Sequence, residues 1–131
     1  MEKLERRIKE AEKALRTLKE ISQEPYSVVV RDATIQRFEY TFEAFWKFLR
    51  DYLREIEGIA CNSPKACFRE ALSSGLMSEE QAMACLGMTD DRNLTSHTYI
   101  QEVAEQIYRK ISNYYELMEN IFNFVRKRIG R

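Results

Sequence analysis

The sequence predicts an all-α protein, an up-and-down antiparallel bundle of four main helices with short helices between them. Apolar residues recur at helical spacing through most of the 131 positions, and only four Gly and two Pro are present, too few for a turn-rich β protein. Val28-Val29-Val30 is the only β-like triplet, and it is too short and isolated to pair as a strand. A bundle lets several amphipathic helices bury their apolar stripes together. The length suits one domain over residues 1–131.

Two long helices are predicted in the first half of the chain, over residues 2–22 and from about Asp32 to Glu57. Pro25 interrupts the pattern between them, and Gly58 marks the end of the second. In both segments apolar side chains recur every three or four residues, which places them on one face of a helix. The stripe of the second helix is rich in aromatic residues and is typical of a core or a dimer interface: Ile35, Phe38, Phe42, Phe45, Leu49, Tyr52 and Ile56.

Capping signals predict the helices of the second half. Ser63-Pro64 has the form of an N-cap followed by a first helical residue, and this helix should continue through Leu72. Ser78 and the residues that follow have the form of a capping box, which predicts a helix toward Leu86. The last helix is predicted from near Thr98 to about Arg128, on an apolar stripe with the same spacing.

Charge and cysteine content limit the classes of function. The 21 basic and 21 acidic residues balance, which argues against a dedicated nucleic-acid coat or a membrane-surface peptide, although a local basic pocket remains compatible. No apolar run approaches the roughly 20 residues of a membrane span. The three cysteines form no Cys-x-x-Cys pair, and with one histidine in the chain no metal site is predicted. We expect reduced, mostly buried thiols in a cytoplasmic protein.

The segment from Arg92 to Tyr99 carries the most chemical information. It contains the single histidine of the chain, His97, five positions after an arginine and two positions before a tyrosine. Arginine can stabilise an anionic phosphate, histidine can transfer a proton near pH 7, and a tyrosine hydroxyl can be a nucleophile or be modified. Such a set is suited to RNA cleavage without a metal: His97 as base or acid, Arg92 as electrostatic clamp, and Asn93 as a hydrogen-bonding aid.

A geometric condition applies to this interpretation. On an uninterrupted helix, positions five apart differ in direction by about 140°, so Arg92 and His97 would point different ways. Either the backbone breaks between them or two chains meet there. Thr95 or Ser96 could cap the last helix after such a break. One histidine per chain also makes two-proton chemistry easier in a symmetric dimer.

Structural roles for the same residues stay open at this point. A histidine beside a helix start is often a capping or core residue. Tyr99 could simply pack its ring, and Arg92 could pair with Asp90 or Asp91.

The motif resembles that of a known family of helical proteins. Arg-Asn-x-x-x-His is the signature of HEPN domains, and the longer form Arg-x-x-x-x-His-x-Tyr resembles the HEPN partner of two-gene MNT–HEPN modules. The segment from Arg31 to Glu43, Trp46-Lys47 and Ser63-Pro64-Lys65 are similar to proteins named nucleotidyltransferase substrate-binding proteins. The resemblance extends over about residues 31–120.

This resemblance implies a bundle, commonly a homodimer, that acts with a separate minimal nucleotidyltransferase and requires no cofactor or membrane. It implies a type VII toxin–antitoxin pair: the helical chain is an RNase with RNA as substrate, and the antitoxin adenylylates the motif tyrosine, here Tyr99. It equally allows an alternative, in which the chain is the non-catalytic substrate-binding subunit of a two-component nucleotidyltransferase. The toxin interpretation gives a task to each motif residue.

Overall fold

The computed structural model of the chain describes residues 1–129, so the last two residues of the predicted domain, Gly130 and Arg131, lie outside the described residues. The described part is all-α and contains no strand, as predicted. Its helices are α1 Glu2–Ser22, α2 Val28–Tyr52, α3 Pro64–Ser73, α4 Glu79–Leu94 and α5 Gln101–Ile129; a π-helical turn, Leu53–Glu57, extends α2, and a 3₁₀ turn, Thr95–His97, follows α4.

Contacts between the helices establish the relative directions of α1, α2 and α5. Arg37 of α2 donates to the Thr17 carbonyl of α1, and near the other end of α2 Asp51 bonds to Arg7, so α1 and α2 are antiparallel. Helices α2 and α5 run parallel, since Phe38 stacks on Tyr114 and Phe48 packs against Phe122 further along both helices. The short helix α3 is inserted between α2 and α4.

The aromatic stripe of α2 lies at the centre of the hydrophobic core. Phe38, Phe45 and Phe48 have no exposed surface, and every main helix contributes buried side chains to the same cluster. This confirms the core role predicted for the stripe from Ile35 to Tyr52, where side chains at helical spacing contact neighbouring helices, but not for Ile56, which is 45% exposed. Among residues 1–129, no helix has both the length and the hydropathy needed to cross a membrane.

Helix α2 begins four residues earlier than predicted. Ser27 is its N-cap, and the Ser27 hydroxyl accepts a hydrogen bond from the Val30 amide at 3.0 Å. The β-like Val28-Val29-Val30 triplet therefore forms the first helical turn, because the cap satisfies one of the amides left free at a helix start. At the other end, Gly58 adopts φ 71°, and the helix stops there as the sequence indicates.

Helix α4 extends well past the predicted end at Leu86. The polar residues beyond Gly87 favour turns in isolation, but the buried Thr89 donates its hydroxyl proton to the Cys85 carbonyl one turn back, at 2.8 Å. The helix reaches Leu94, and α5 begins at Gln101 rather than near Thr98. The capping box of Ser78 forms as predicted, with reciprocal side-chain and backbone hydrogen bonds to Gln81.

The expectation of reduced thiols is wrong for two of the three cysteines. Cys61 and Cys67 form a disulfide, with their Cα atoms 5.2 Å apart. The turn that begins α3 at Pro64 brings them together, which spacing alone does not reveal. Cys85 is a buried free thiol, and burial raises its pKa to about 12. The cytoplasmic prediction loses the support it took from reduced thiols.

Candidate functional site

The motif residues lie on the segment that joins α4 to α5. Arg92 and Asn93 belong to the last turn of α4, His97 ends the 3₁₀ turn, and Tyr99 lies in the turn that precedes α5. The helix therefore ends between Arg92 and His97, which is the backbone break that the sequence analysis gave as one alternative, the other being a meeting of two chains. Because the 3₁₀ turn is tighter than an α-helix, the angular separation of an uninterrupted helix does not apply here.

The guanidinium of Arg92 lies between two carboxylates of α2. Its Nε is 3.5 Å from Oε2 of Glu43, and its Nη1 is 3.9 Å from Oε2 of Glu39. Nη1 also donates to the Thr95 hydroxyl at 3.2 Å. The Nε atom is shielded from solvent without a hydrogen bond, so Glu43 balances its charge through space. Among the described residues Nη2 has no hydrogen-bond partner, and it keeps contact with solvent.

The neighbouring aspartates do not pair with Arg92, contrary to the structural alternative left open above. Asp90 accepts a bond from Lys65 of α3 at 2.7 Å, and Asp91 accepts from Lys110 of α5 at 3.2 Å. The Tyr114 hydroxyl donates to the same Asp91 carboxylate, and burial together with this bond raises the Tyr114 pKa above its usual range. The end of α4 is thus attached to α3, α5 and α2 by separate polar contacts.

Thr95 links the arginine to α2 and does not cap α5. The residue is buried, and its hydroxyl is 2.5 Å from Oε2 of Glu39 and 2.6 Å from the Arg92 carbonyl. Ser96 donates to the Asn93 carbonyl at 3.2 Å. The predicted capping role of Thr95 or Ser96 is therefore wrong, because the 3₁₀ turn uses their hydroxyls and α5 starts several residues later.

His97 and Tyr99 form an exposed pair. The Nδ1 atom of His97 is 3.4 Å from the Tyr99 hydroxyl, and the two ring centroids are 6.0 Å apart, edge to face. Tyr99 is 77% exposed and His97 is also exposed, so neither is a core residue. The side chain of Asn93 lies on the exposed surface of the same segment. A protein partner or a large substrate can reach this pair without rearrangement of the bundle.

The structure groups the predicted residues into two sets. His97 contacts Tyr99, while Arg92 contacts Glu39, Glu43 and Thr95. No hydrogen bond or ion pair joins the two sets within residues 1–129. A phosphate bound by both would therefore bridge two neighbouring surfaces instead of filling a ready-made cavity.

Sequence reasoning assigned no role to the two α2 carboxylates. Glu39 and Glu43 are four residues apart and lie on one face of a helix, where like charges repel each other. Two such carboxylates beside an aromatic core stripe indicate that a cation from elsewhere lies between them. That signal was present in the sequence, but it did not identify Arg92 as the cation. The described residues contain no cluster of three or more His, Cys, Asp and Glu side chains that could hold a metal ion.

Comparison with known proteins gives a family and a curated relative. Residues 6–127 match the family described as nucleotidyltransferase substrate binding protein like. A protein of Haemophilus influenzae strain Rd, named probable ribonuclease HepT, is 34% identical over 92 residues. These residues are 67% of this chain and 60% of that protein, so the match leaves a substantial part of the relative uncovered.

Solved structures share the fold. A protein from Thermus thermophilus with 54% identity superposes with a TM-score of 0.85, over 88% of this chain and 98% of that one. The substrate-binding domain of a nucleotidyltransferase from Haemophilus influenzae has 26% identity and a TM-score of 0.62, over 94% and 96% of the two chains. A chain of the MntA–HpeT toxin–antitoxin structure has 12% identity and a TM-score of 0.80, over 97% and 99%, and this shows a common fold.

Proposed function

Because the chain belongs to the nucleotidyltransferase substrate binding protein like family, we propose that it is the HEPN-type toxin of a type VII toxin–antitoxin pair. In this proposal it is a metal-independent endoribonuclease, and a cognate minimal nucleotidyltransferase neutralises it by adenylylation. The observation that carries the proposal is the exposed His97–Tyr99 pair on the turn that follows Arg92. The relative named probable ribonuclease HepT supports the assignment to RNA.

The proposed cleavage uses the ribose 2′-hydroxyl as nucleophile. A base removes its proton, the 2′-oxygen attacks the adjoining phosphorus, and the 5′-oxygen leaves with a proton from an acid. The products are a 2′,3′-cyclic phosphate and a 5′-hydroxyl. His97 serves as one proton carrier, the solvent-facing Nη2 of Arg92 offers donors to the phosphate, and the Asn93 amide adds a hydrogen bond.

Each chain supplies one histidine, whereas the reaction needs a base and an acid. We therefore propose a homodimer in which the His97 side chains of both protomers face one phosphodiester. The exposure of His97 in the single chain is compatible with such a pairing. Light scattering should give a dimer mass, and a monomer at the concentrations where RNA is cleaved would contradict this part of the proposal.

Cleavage assays with the purified chain test the proposed ribonuclease activity and the role of His97. We expect RNA cleavage that persists in EDTA, and a loss of about 100-fold or more in His97→Ala, the usual size of an acid–base contribution. Because His97 is exposed, the variant should unfold at the same denaturant concentration as the wild type. Ser96→Ala, the exposed neighbour, is the matched control and should remain active. Full activity of His97→Ala would rule out its role.

Adenylylation is tested with the cognate nucleotidyltransferase and ATP. The Tyr99 hydroxyl would attack the α-phosphorus, pyrophosphate would leave, and the phenol proton would pass to a base or to solvent. The adduct places an anion beside His97 and obstructs the phosphate site. Mass spectrometry should find one AMP on Tyr99, none in Tyr99→Phe, and an unchanged adduct in Tyr26→Phe, another exposed tyrosine. AMP on a different residue would contradict the mechanism.

The alternative function is that of a non-catalytic substrate-binding subunit. It is favoured by the two carboxylates that already neutralise Arg92 in the isolated chain. In that case the purified chain cleaves no RNA, and the nucleotidyltransferase transfers its nucleotide to a small substrate only when this chain is present. Turnover of the nucleotidyltransferase with and without the chain therefore distinguishes the two functions.

A further inference from the structure

A groove between α1 and α2 lies outside the motif and has the dimensions of a small ligand site. We call it the α1–α2 groove, and define it by Lys13, Ala14, Thr17, Tyr40, Ala44 and Lys47. It encloses about 340 Å³, at the lower end of the roughly 300–1,000 Å³ found for ligand pockets. The space exists because Ala14 and Ala44 present small side chains where the two long helices pass each other.

One wall of the groove is the ring of Tyr40, which is 44% exposed. Its hydroxyl lies 3.1 Å from the Thr17 hydroxyl, and Thr17 donates its own proton to the Ala14 carbonyl at 3.0 Å. The tyrosine is therefore the donor in the pair, and the bond ties its free end to α1. A partly exposed aromatic ring that is held in place is a preorganised stacking surface.

The charge that the groove offers to a ligand is positive. Glu10 and Glu43 also line the groove, and a guanidinium group lies beside each carboxylate: Glu10 accepts from Arg7 at 3.1 Å, and Glu43 lies 3.5 Å from Nε of Arg92. Lys13 is exposed with no ion-pair partner among the described residues, and Lys47 makes one long ion pair with Glu43, at 3.9 Å. The Lys13 ammonium is thus free to contact an anion, and Lys47 can exchange its long contact for one.

The groove is continuous with the candidate site through Glu43, which lines the groove and also contacts Arg92. A planar stacking surface, two ammonium groups and an adjacent guanidinium match the chemistry of a nucleotide chain. Single-stranded nucleic acids are bound in this way, by stacking of bases on aromatic rings and by backbone contacts to basic residues.

We propose that the α1–α2 groove binds one nucleotide of single-stranded RNA next to the phosphate held at Arg92. The base stacks on Tyr40, and the adjoining phosphates lie near Lys13 and Lys47. The proposal rests on the proposed RNase function for the role of its ligand as substrate. The groove would hold the strand on the α2 side of the site, and cleavage would take place near His97.

Binding of a fully 2′-O-methylated single-stranded RNA hexamer, which cannot be cleaved, tests the subsite by fluorescence anisotropy. Tyr40→Leu keeps an apolar side chain but removes the ring, and we expect affinity about tenfold weaker, within the range for loss of one stacked base. Tyr40→Phe keeps the ring and loses only the hydrogen bond to Thr17, so it should bind more tightly than Tyr40→Leu. If Tyr40→Leu binds as tightly as Tyr40→Phe, the stacking role is wrong.

The proposed contact between Lys13 and a phosphate is tested through the salt dependence of hexamer binding. Lys13→Gln should lower the slope of log affinity against log salt by about 0.7, the value for one phosphate of a single strand. Lys19→Gln, an exposed lysine of α1 outside the groove, is the matched control and should leave the slope unchanged. Equal slopes for the two variants would overturn the phosphate contact.

Cleavage kinetics separate failure of the subsite from failure of the RNase proposal. With intact RNA, Tyr40→Leu should raise KM about tenfold and leave kcat unchanged, since the ring contacts substrate away from the reacting phosphate. Wild-type cleavage with an unaltered KM in Tyr40→Leu would overturn the subsite alone. Hexamer binding that depends on Tyr40 and Lys13, without any cleavage, would support the subsite and contradict the RNase. If the variants instead weaken only binding of the nucleotidyltransferase, the groove is a protein contact and the inference is wrong.

Discussion

Two ion clusters join α2 to other parts of the bundle, and they have opposite construction. At one end of α2, the carboxylate of Asp51 has no exposed surface and accepts hydrogen bonds of 2.8 to 3.0 Å from Arg7, Arg50 and Arg54. Nearer the start of the helix, the guanidinium of Arg92 lies between Glu39 and Glu43 at 3.9 and 3.5 Å.

The difference in distance and burial fits a structural role for the Asp51 cluster and the phosphate-binding role proposed for the Arg92 cluster. The Asp51 cluster has short bonds around a buried anion, so any loss of a partner exposes a strong imbalance of charge. In the Arg92 cluster the side chains are 28–37% exposed and the contacts are loose, so water can screen them and a phosphate can replace a carboxylate at modest cost. A structural cluster needs tight contacts, whereas a binding site needs contacts that can be exchanged.

Removal of one carboxylate from each cluster gives the largest expected effect of this comparison. Asp51→Ala should lower the free energy of unfolding by about 3 kcal/mol, because three guanidiniums lose their common partner. Glu43→Ala should cost about 1 kcal/mol, since its ion pair with Arg92 is loose and the main loss is one hydrogen bond from Nε1 of Trp46, at 3.1 Å. Urea unfolding of the two variants measures both values. Equal losses of unfolding free energy in the two variants would mean that both clusters contribute to stability in the same way.

Arg92→Gln should separate activity from stability. We expect the free energy of unfolding to change by about 1 kcal/mol, because the ion pairs are long and partly exposed and the one hydrogen bond lost is that to Thr95. RNA cleavage should fall about 100-fold, the usual cost of removing one donor that stabilises a transition-state charge. The control is Arg126→Gln, whose arginine pairs with Glu12 on the surface between α5 and α1 and should leave cleavage unchanged. A large loss of stability in Arg92→Gln would show that the cluster around Arg92 has a structural role.

Much of the fold was predictable because local chemistry determines it. The 2–22 helix, the caps at Ser63 and Ser78 and the stop at Gly58 all follow from residues within one or two turns. The wrong boundaries have a common cause. At Val28 and beyond Leu86, intrinsic preference argues against a helix, but a cap at Ser27 and packing of the buried Thr89 outweigh it.

The candidate site was predictable in part. The motif identified Arg92, His97 and Tyr99, and the turn residues between them indicated the break. Their partners were not predictable, because Glu39 and Glu43 lie far away in sequence and reach Arg92 only when α2 packs against the end of α4. The disulfide of Cys61 and Cys67 depends in the same way on a turn whose geometry the spacing of the cysteines does not specify.

Acid titration should reveal the Asp51 cluster directly. Burial alone would raise the pKa of Asp51, but hydrogen bonds from Arg50 and Arg7 outweigh it and hold the pKa below its ordinary value. The ionised carboxylate therefore contributes stability above the unfolded-state pKa of about 4, and this contribution is lost as pH falls through the lower folded-state pKa. Urea unfolding of wild type between pH 7 and pH 2 should show this loss, and Asp51→Asn should show a smaller one. If the unfolding free energies of wild type and Asp51→Asn fell in parallel with pH, the acid-dependent loss of stability would not come from Asp51.

The smallest expected effect concerns the attachment of α4 beside Arg92. Tyr114 of α5 donates to the buried Asp91 of α4, and its raised pKa keeps the phenol protonated at every working pH. Tyr114→Phe should lower the free energy of unfolding by about 1.5 kcal/mol, the lower end of the range for a hydrogen bond to a charged group. Because Lys110 still holds Asp91, kcat should fall less than tenfold with KM unchanged. Tyr115→Phe is the control, since Tyr115 bonds only to Glu119 of its own helix and does not attach α4. An equal effect of both variants on kcat would show that this bond does not position Arg92.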